Sequence, residues 1–582
     1  MDGSAQRTTA RAARRTGRLR GAARALALAA LLALAGCSGA APTQRLHHGP
    51  DPLGTARIDL KPGPADAVLT QRGDLTRLGW DSTETALTVA SVSSGRFGKR
   101  AAFPVDGRIY AQPLYAPGLL VDGTRHDLVL AATEHDSVYA FDADATGPAA
   151  VPLWHTSLIQ PGARTFRAAD DRVAKDRLCD SIAPEVGITS TPVVDWATLT
   201  VYVMALDVEH GVMTYRIHAL SLLTGRELRP STVVTAGGPG TGLDAAHGQV
   251  TFKASDEQQR MGLTEVAGTV YAGFSSWCGL TPYHGWVLGY DAATLKRDVV
   301  YDDSPDSWGG GLWESESGIS VDGHGHLYLV TGNGPFDLDR GGADAGDTLL
   351  EVEPDDGTLV TVDSFTPFDQ QCRAEHDQDL GSGSPLMVPG EHELLLSSKT
   401  GAVYLLDEAD LGGYRTVANP CPNRARTDVD RIKQELTLGT VPGGMWGTWG
   451  YWSDGATQYV YGSGAQGELT QWRLNPGGTL APVPVAHAPE PFAYPGSIPV
   501  VSSDGTRPGT GVLWTVDQTH GAVLRAYDAA DISRQIWTSA QDPARDGLEP
   551  GSFDHFTVPT TADGLVFVGD QSRLEVYGLL RG

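Results

Sequence analysis

One phrase returns along this chain. Residues 138–147 read Val-Tyr-Ala-Phe-Asp-Ala-Asp-Ala-Thr-Gly, Trp154 follows, and degenerate copies recur to the C-terminus. Repetition at a long period decides architecture before any local reading does. Val-Tyr-Ala-Phe reads as a buried strand, and Asp-x-x-x-Thr-Gly supplies the polar tight turn into the next one. The closing Trp offers a large apolar area to cap a sheet. Copies include His218-Ala219-Leu220 with Thr224-Gly225, Leu288-Gly289-Tyr290-Asp291, Val403-Tyr404-Leu405-Leu406-Asp407, and Ala526-Tyr527-Asp528 with Trp537. The last is Arg573-Leu574-Glu575-Val576-Tyr577. A second phrase, Pro followed by an apolar or β-branched pair, precedes most copies, as at Pro113, Pro192, Pro385, Pro499 and Pro559. A third strand such as Leu199–Val203 or Gly564–Val568 lies between the two phrases.

Each unit therefore holds about four short strands in roughly 50–80 residues, longer than the ~40–50 of plain propeller repeats. Four-stranded units repeated radially make an all-β fold, the β-propeller. Eight blades fit, or seven if the poor copy around Trp472 is discounted. Stacked sandwiches would not explain one phrase running the whole length. Residues 95–104 read as a lone strand that pairs with the last unit and closes the ring. The chain of 582 residues, with 71 Gly and 36 Pro, suits one large loop-rich β domain.

The net charge is −26, and the first 36 residues carry seven Arg against one Asp, so the remainder is more acidic still. Such a body is a poor partner for nucleic acid or an anionic lipid surface. The basic stretch Arg7–Arg24 and the apolar run Ala25–Ala35, too short to span a bilayer, read as a signal peptide. The run ends in Leu34-Ala35-Gly36-Cys37-Ser38, which resembles the bacterial lipoprotein box. That resemblance implies cleavage before Cys37, lipid attachment to its sulfur, and anchoring to the outer face of the cell membrane. Residues 1–36 are then signal peptide, 37–74 a lipidated flexible tether, and 75–582 the propeller. The Arg14-Arg15 pair leaves both the general and the twin-arginine export routes open. The other four cysteines, Cys179, Cys278, Cys372 and Cys421, suggest two disulfides with three connectivities. We favour Cys179–Cys278 and Cys372–Cys421, each joining loops of neighbouring units. Their spacing has no zinc signature.

The repeat resembles the A-x-D-x-x-T-G…W blades of the quinoprotein dehydrogenases, which use pyrroloquinoline quinone (PQQ), with one extra residue before Thr146. The resemblance runs from about Thr76 to Leu580 and includes the leader Leu87–Val92. Blades alone say little of function, so the stretches that depart from the repeat matter more. Gly309-Gly310-Gly311-Leu312-Trp313 is similar to the family's Gly run and the Trp on which the quinone stacks. Thr331-Gly332-Asn333 is similar to the family tripeptide whose Asn oxygen ligates calcium, a hard cation that prefers oxygen. Thr366-Pro367-Phe368-Asp369 resembles the motif that precedes the general base; an insertion with Cys372 stretches it, so Asp377 or Asp379 takes that role. Lys399 stands where the family has a cation facing the quinone oxygens. The remaining calcium ligand is Glu209, with Glu185 as the rival.

The resemblance implies PQQ and Ca²⁺ as cofactors, oxidation of an alcohol or sugar hydroxyl, and a separate electron acceptor. No haem attachment motif and no adjacent Cys pair are present. The other reading is a non-catalytic lipoprotein that binds a protein partner on its loop face. One geometric condition separates them: Trp313, Asn333, Asp379 and Lys399 must meet at one end of the channel.

Overall fold

The structure is a computed structural model. It describes residues 57–147, 150–167, 182–277, 279, 281–314, 317–519, 521–549 and 557–580. The signal peptide, Cys37, Cys179 and Cys278 lie outside the described residues, and so does the pairing assigned to the last two.

Among the described residues, eight sheets of four or more strands follow one another, antiparallel except for a parallel edge strand on two of them. Their first strands are Leu114–Val121, Val193–Asp195, Thr264–Val266, Ser320–Val321, Leu386–Val388, Gly450–Ser453, Val500–Ser502 and Thr560–Ala562. They define blades 1 to 8. The recurring Pro stands immediately before the first strand of blades 1, 2, 5, 7 and 8, where a missing N–H costs the ladder nothing. The Val138–Phe141 phrase falls in the third strand of blade 1, Ser137–Asp142, which is buried along almost its whole length. Trp154 opens the fourth strand, opposite Ala140. Its indole reaches into blade 2, where Nε1 donates to the Leu222 carbonyl at 3.0 Å. It rests on Gly225, at φ 67°, where an added Cβ would meet the Trp154 ring at 2.4 Å. The Thr-Gly of one repeat is thus the seat for the Trp of the repeat before it. The weak copy is also a blade: Trp472, in Glu468–Asn475, packs on Trp449 at 5.3 Å.

The lone strand closes the ring as expected. Phe97–Pro104 pairs antiparallel with Arg573–Leu579, from Phe97 opposite Leu579 to Pro104 opposite Arg573. Leu87, just before a capped helical turn at Val89–Val92, and Val92, its last residue, pack with Phe97, Trp514, Trp537 and Tyr577.

One expectation fails. Residues 57–74, read as the inner part of a tether, are folded against the blades, and Ala67–Arg72 are buried. The segment from Val68 to Glu84 touches all eight blades in turn. Val68 bridges Tyr115 of blade 1, and the Leu69 carbonyl accepts from Val194 of blade 2 at 2.8 Å. The Arg77 guanidinium donates to Thr264 Oγ1 of blade 3 at 2.6 Å. The carbonyls of Leu75, Thr76, Leu78 and Gly79 accept from Val321, Met387, Tyr451 and Val501 of blades 4 to 7. The Glu84 carboxylate accepts from Gly564 of blade 8 at 2.7 Å. Its partners lie on first strands and on first-to-second-strand turns, so the segment plugs that side of the ring. Arg72 and Arg77 are its hubs, both wholly buried. Arg72 donates to the carbonyls of Trp449 and Pro499 at 2.6 and 3.1 Å, and Arg77 to that of Ile319. Burial lowers both guanidinium groups, to about 9 and about 10.

Candidate functional site

In an up-and-down blade, the loops entering the first strand and the loops joining second to third strands share one face. Trp313 and Asp379 lie on loops that enter blades 4 and 5. Asn333 and Lys399 lie on second-to-third-strand loops of the same two blades. The plug occupies the other face, so the loop face is where the channel end is built.

The four residues meet there. Asp379 is the centre: its Oδ1 accepts the Asn333 backbone N–H at 2.7 Å, and its Oδ2 lies 2.5 Å from Lys399 Nζ. Lys399 also reaches Asp377 Oδ1 at 2.8 Å, and Asn333 Nδ2 donates to the same oxygen at 3.2 Å. Trp313 completes the group through Gly332, where an added Cβ would meet Asp379 Oδ1 at 2.5 Å and Trp313 Nε1 at 2.7 Å. The glycine is what lets the indole and the carboxylate approach. The two candidate bases differ in setting: the side chain of Asp379 is 6% exposed and that of Asp377 83%. Burial opposes the ammonium charge of Lys399, but attraction to Asp379 and hydrogen bonds to Asp377 and Asp379 outweigh it and hold its pKa above the usual value. The ammonium also lies 5.8 Å from the centre of the Trp446 ring.

The local reasons are legible in the loops. Gly309, Gly310 and Gly311 all take positive φ, and the run threads between Asp303 and Asn333. The Gly310 N–H donates to the Asn333 carbonyl at 2.9 Å, and that of Gly311 to Asp303 at 2.9 Å. An added Cβ at Gly310 would fall 2.3 Å from Asp303. The insertion that carries Asp377 and Asp379 is pinned rather than loose. Cys372, on the helix Gln370–Glu375, is bonded to Cys421 with a Cα separation of 5.5 Å. Asp369 lies between Arg373 and Arg424 at 2.6 and 2.8 Å, and Arg373 reaches Ser398, the neighbour of Lys399, at 3.0 Å.

Two assigned ligands are elsewhere. Glu209 sits at the tip of the hairpin Thr200–Ser221 and gives both oxygens to Arg216, at 2.5 and 3.0 Å. That pairing keeps its carboxyl below the usual range. Glu185 is held by His135 at 2.6 Å and by Thr165 at 2.9 Å. Neither carboxylate is gathered with Asn333, because each already has a cation or a proton donor of its own blades.

Sequence reasoning missed Glu314, Asp347 and Tyr283. Glu314 follows Trp313 and is wholly buried; it accepts from Val330 at 2.9 Å, and burial pushes its carboxyl to about 8. Asp347 accepts from Leu380 at 2.9 Å, and burial, then the charge on Asp379, holds its carboxyl well above the usual range. Tyr283 stands edge-on to Trp313 at 6.4 Å. Only Glu314, an acid beside the Gly-run Trp, had a sequence signal that could have been followed.

The donors bear on what could bind. Asn333 Oδ1 and Trp313 Nε1 are buried without hydrogen-bond partners. Asn333 Oδ1 with Asp377 and Asp379 is an all-oxygen set suited to a hard cation. A flat ligand with anionic oxygens suits the Trp313 indole beside an ammonium. The residues at this end of the channel therefore fit the cofactor pair, with Asp377 in place of a Glu ligand and Asp379 left as the base. A separate groove of about 640 Å³, lined by Phe166, Met213 and Tyr215 of blade 2 and by Phe252 of the connection to blade 3, holds none of these groups.

Solved structures give the fold its relatives. The chain superposes on the quinohemoprotein alcohol dehydrogenase of Comamonas testosteroni with a TM-score of 0.53, at 13% identity over 90% of this chain and 83% of that one. The fold is that of the quinoprotein dehydrogenases. The quinohemoprotein alcohol dehydrogenase ADHIIG of Pseudomonas putida HK5 gives 0.56, at 14% identity over 88% and 80%. A europium-containing methanol dehydrogenase gives 0.55, at 14% identity over 89% and 99%. No family model and no curated protein sequence matches the chain.

Proposed function

We propose that this protein is an exported, Cys37-anchored quinoprotein that oxidises alcohol or sugar hydroxyls with PQQ and a calcium-class cation at the loop face of blades 4 and 5. The observation that carries the reading is Asp379, bonded at once to the Asn333 N–H and to Lys399. Bound there, the quinone would supply a two-electron acceptor and the cation a Lewis acid. Asp379 is the group to take the hydroxyl proton, at Oδ2, because Oδ1 is fixed by Asn333. Lys399 now covers Oδ2, so an anionic ligand that draws the ammonium aside also frees the base. Asn333 Oδ1 and Asp377 would hold the cation, and Trp313 the flat face of the cofactor. Electrons leave to a separate carrier.

A non-catalytic propeller serving as a binding lipoprotein is the second reading. The engagement of Glu209 with Arg216 and of Glu185 with His135 favours it, since the expected Glu ligand is absent from the site. Reconstitution separates the two. Purified protein is mixed with PQQ and Ca²⁺, binding is read by tryptophan fluorescence, and dye reduction is followed over a panel of alcohols and sugars. Quenching with turnover supports the dehydrogenase. Absence of PQQ binding leaves the non-catalytic propeller.

A further inference from the structure

Blade 4 carries a second constellation, built from a turn and a neighbouring strand and unused by the loop-face site. Asp322 lies in the turn after the first strand, His326 just before the second, and Glu351 in the third strand, Leu349–Asp355. One ligand atom from each lies within 4.8 Å of the others. His326 Nδ1 is 3.0 Å from Asp322 Oδ2 and 2.9 Å from Glu351 Oε1.

Three details distinguish this group from an ordinary ion pair. Asp322 is fixed by its other oxygen: Oδ1 accepts the backbone N–H groups of His324 and His326 at 2.8 and 2.9 Å, which aims Oδ2 at the cluster. Glu351 is 1% exposed, and its Oε2 is buried with no hydrogen-bond partner. A carboxylate oxygen in that setting has lost its water and gained nothing in return. Finally, Nδ1 faces two acid oxygens and can give a proton to only one of them. A divalent ion does not have that restriction. Ligand atoms bonded at about 2.1 Å and set at right angles stand about 3.0 Å apart, which is the spacing His326 already keeps to both carboxylates.

We propose that Asp322, His326 and Glu351 form a structural site for a divalent transition-metal ion of the Zn²⁺ or Mn²⁺ class. One imidazole with two carboxylates suits those ions rather than Ca²⁺, whose ligands are oxygens. The two negative charges match the ion's two positive ones. His326 and Asp322 keep a small exposed surface, 13% and 9% of their side chains, which gives the ion an entry path and room for water ligands. The site belongs to the plugged face: the Gly323 carbonyl of the same turn accepts from Ile58, and Val321 donates to Leu75. Metal there would pin the turn on which the start of the plug rests.

The test uses the full-length protein stripped with EDTA and dialysed. Zn²⁺, Mn²⁺ and Ca²⁺ are titrated calorimetrically, and Co²⁺ is followed by its visible d–d absorption. The expected result is one equivalent of Zn²⁺ or Mn²⁺, a Co²⁺ band, and a rise in the thermal midpoint on loading. Glu351→Gln and His326→Gln should each weaken binding at least about tenfold, and Asp379→Asn should leave it unchanged. Absence of stoichiometric binding and of a Co²⁺ band in the wild-type protein overturns the proposal, whatever the variants do. Retention of full affinity in both folded variants overturns it as well, since the ion would then sit elsewhere.

Discussion

At the residue scale, the loop-face group turns on how one carboxylate is shared. Asp379 has an N–H on one oxygen and an ammonium on the other. Changing it to Asn keeps the size and one acceptor but removes the base. Asp379→Asn should therefore lower kcat by about 10²–10⁴-fold, with PQQ binding retained by fluorescence. Lys399→Met should act differently: it removes the cation that a quinone carboxylate would meet, so the loss appears in PQQ affinity. Steady-state kinetics at saturating PQQ, beside a binding titration, checks the split. Equal kcat in Asp379→Asn and wild type would remove Asp379 from the role of base. Asp377 is a cation ligand on this reading, so Asp377→Asn should raise the Ca²⁺ concentration needed for turnover rather than lower kcat at saturating Ca²⁺.

At the element scale, the blades were legible and the plug was not. Phrase, turn and Trp repeat because each blade must seat its neighbour's Trp on a glycine, as Trp154 sits on Gly225. The closing strand 97–104 could be read because it is a lone strand-like stretch standing outside the repeat, before the first unit. The tripeptide Thr331-Gly332-Asn333 and the turn Lys399 could be found because glycine is needed where chains cross closely. Residues 57–74 have no such pattern. Their backbone partners are spread over several blades, so nothing local records them, and a stretch such as Pro62-Gly63-Pro64 suits a plug and a tether equally well. The engagement of Glu209 and Glu185 is hidden from the sequence for a related reason: Arg216 and His135, which hold them, are brought there by strand pairing and tertiary contacts. The plug makes a firm prediction. Arg72 fills its place with donors aimed at the carbonyls of Trp449, Pro499 and Leu78. Arg72→Met takes that donor from the Trp449 and Pro499 carbonyls, at about 1–3 kcal/mol each, while Leu78 keeps the Tyr451 N–H. Chemical denaturation should show a loss of about 3 kcal/mol or more. Arg72→Lys should not restore it, because a point charge cannot reach several carbonyls at once. A variant as stable as wild type would show that the plug is a passenger.

At the scale of the whole molecule, an acidic protein has placed several protonated groups inside itself, and this sets how its stability runs with pH. His284 is buried at the loop face, with Nε2 3.0 Å from Asp244 and Nδ1 3.4 Å from Asp302. Burial alone would lower its pKa, but hydrogen bonding and attraction to Asp302 and Asp244 outweigh burial and raise it to about 9. Glu257, which accepts the His284 N–H, and Asp303 are buried acids held well above the usual carboxylate range, by burial first and then by neighbouring carboxylates. Lys253 pairs with Asp244 on the same patch. Each raised group binds a proton more tightly folded than unfolded, so each favours folding at low pH. For His284 the contribution is complete below about pH 6.5, where the unfolded imidazole is also charged. It declines above that and is gone once the pH passes about 9. The net charge of −26 adds self-repulsion in the same direction as the remaining groups ionise. The thermal midpoint of the wild-type protein should therefore fall steadily from about pH 6.5 to about 9.5. His284→Gln should start lower at about pH 6.5 and fall less steeply, because it has no imidazolium to lose. Parallel curves for the two proteins would mean that the acids, and not His284, govern the alkaline limb.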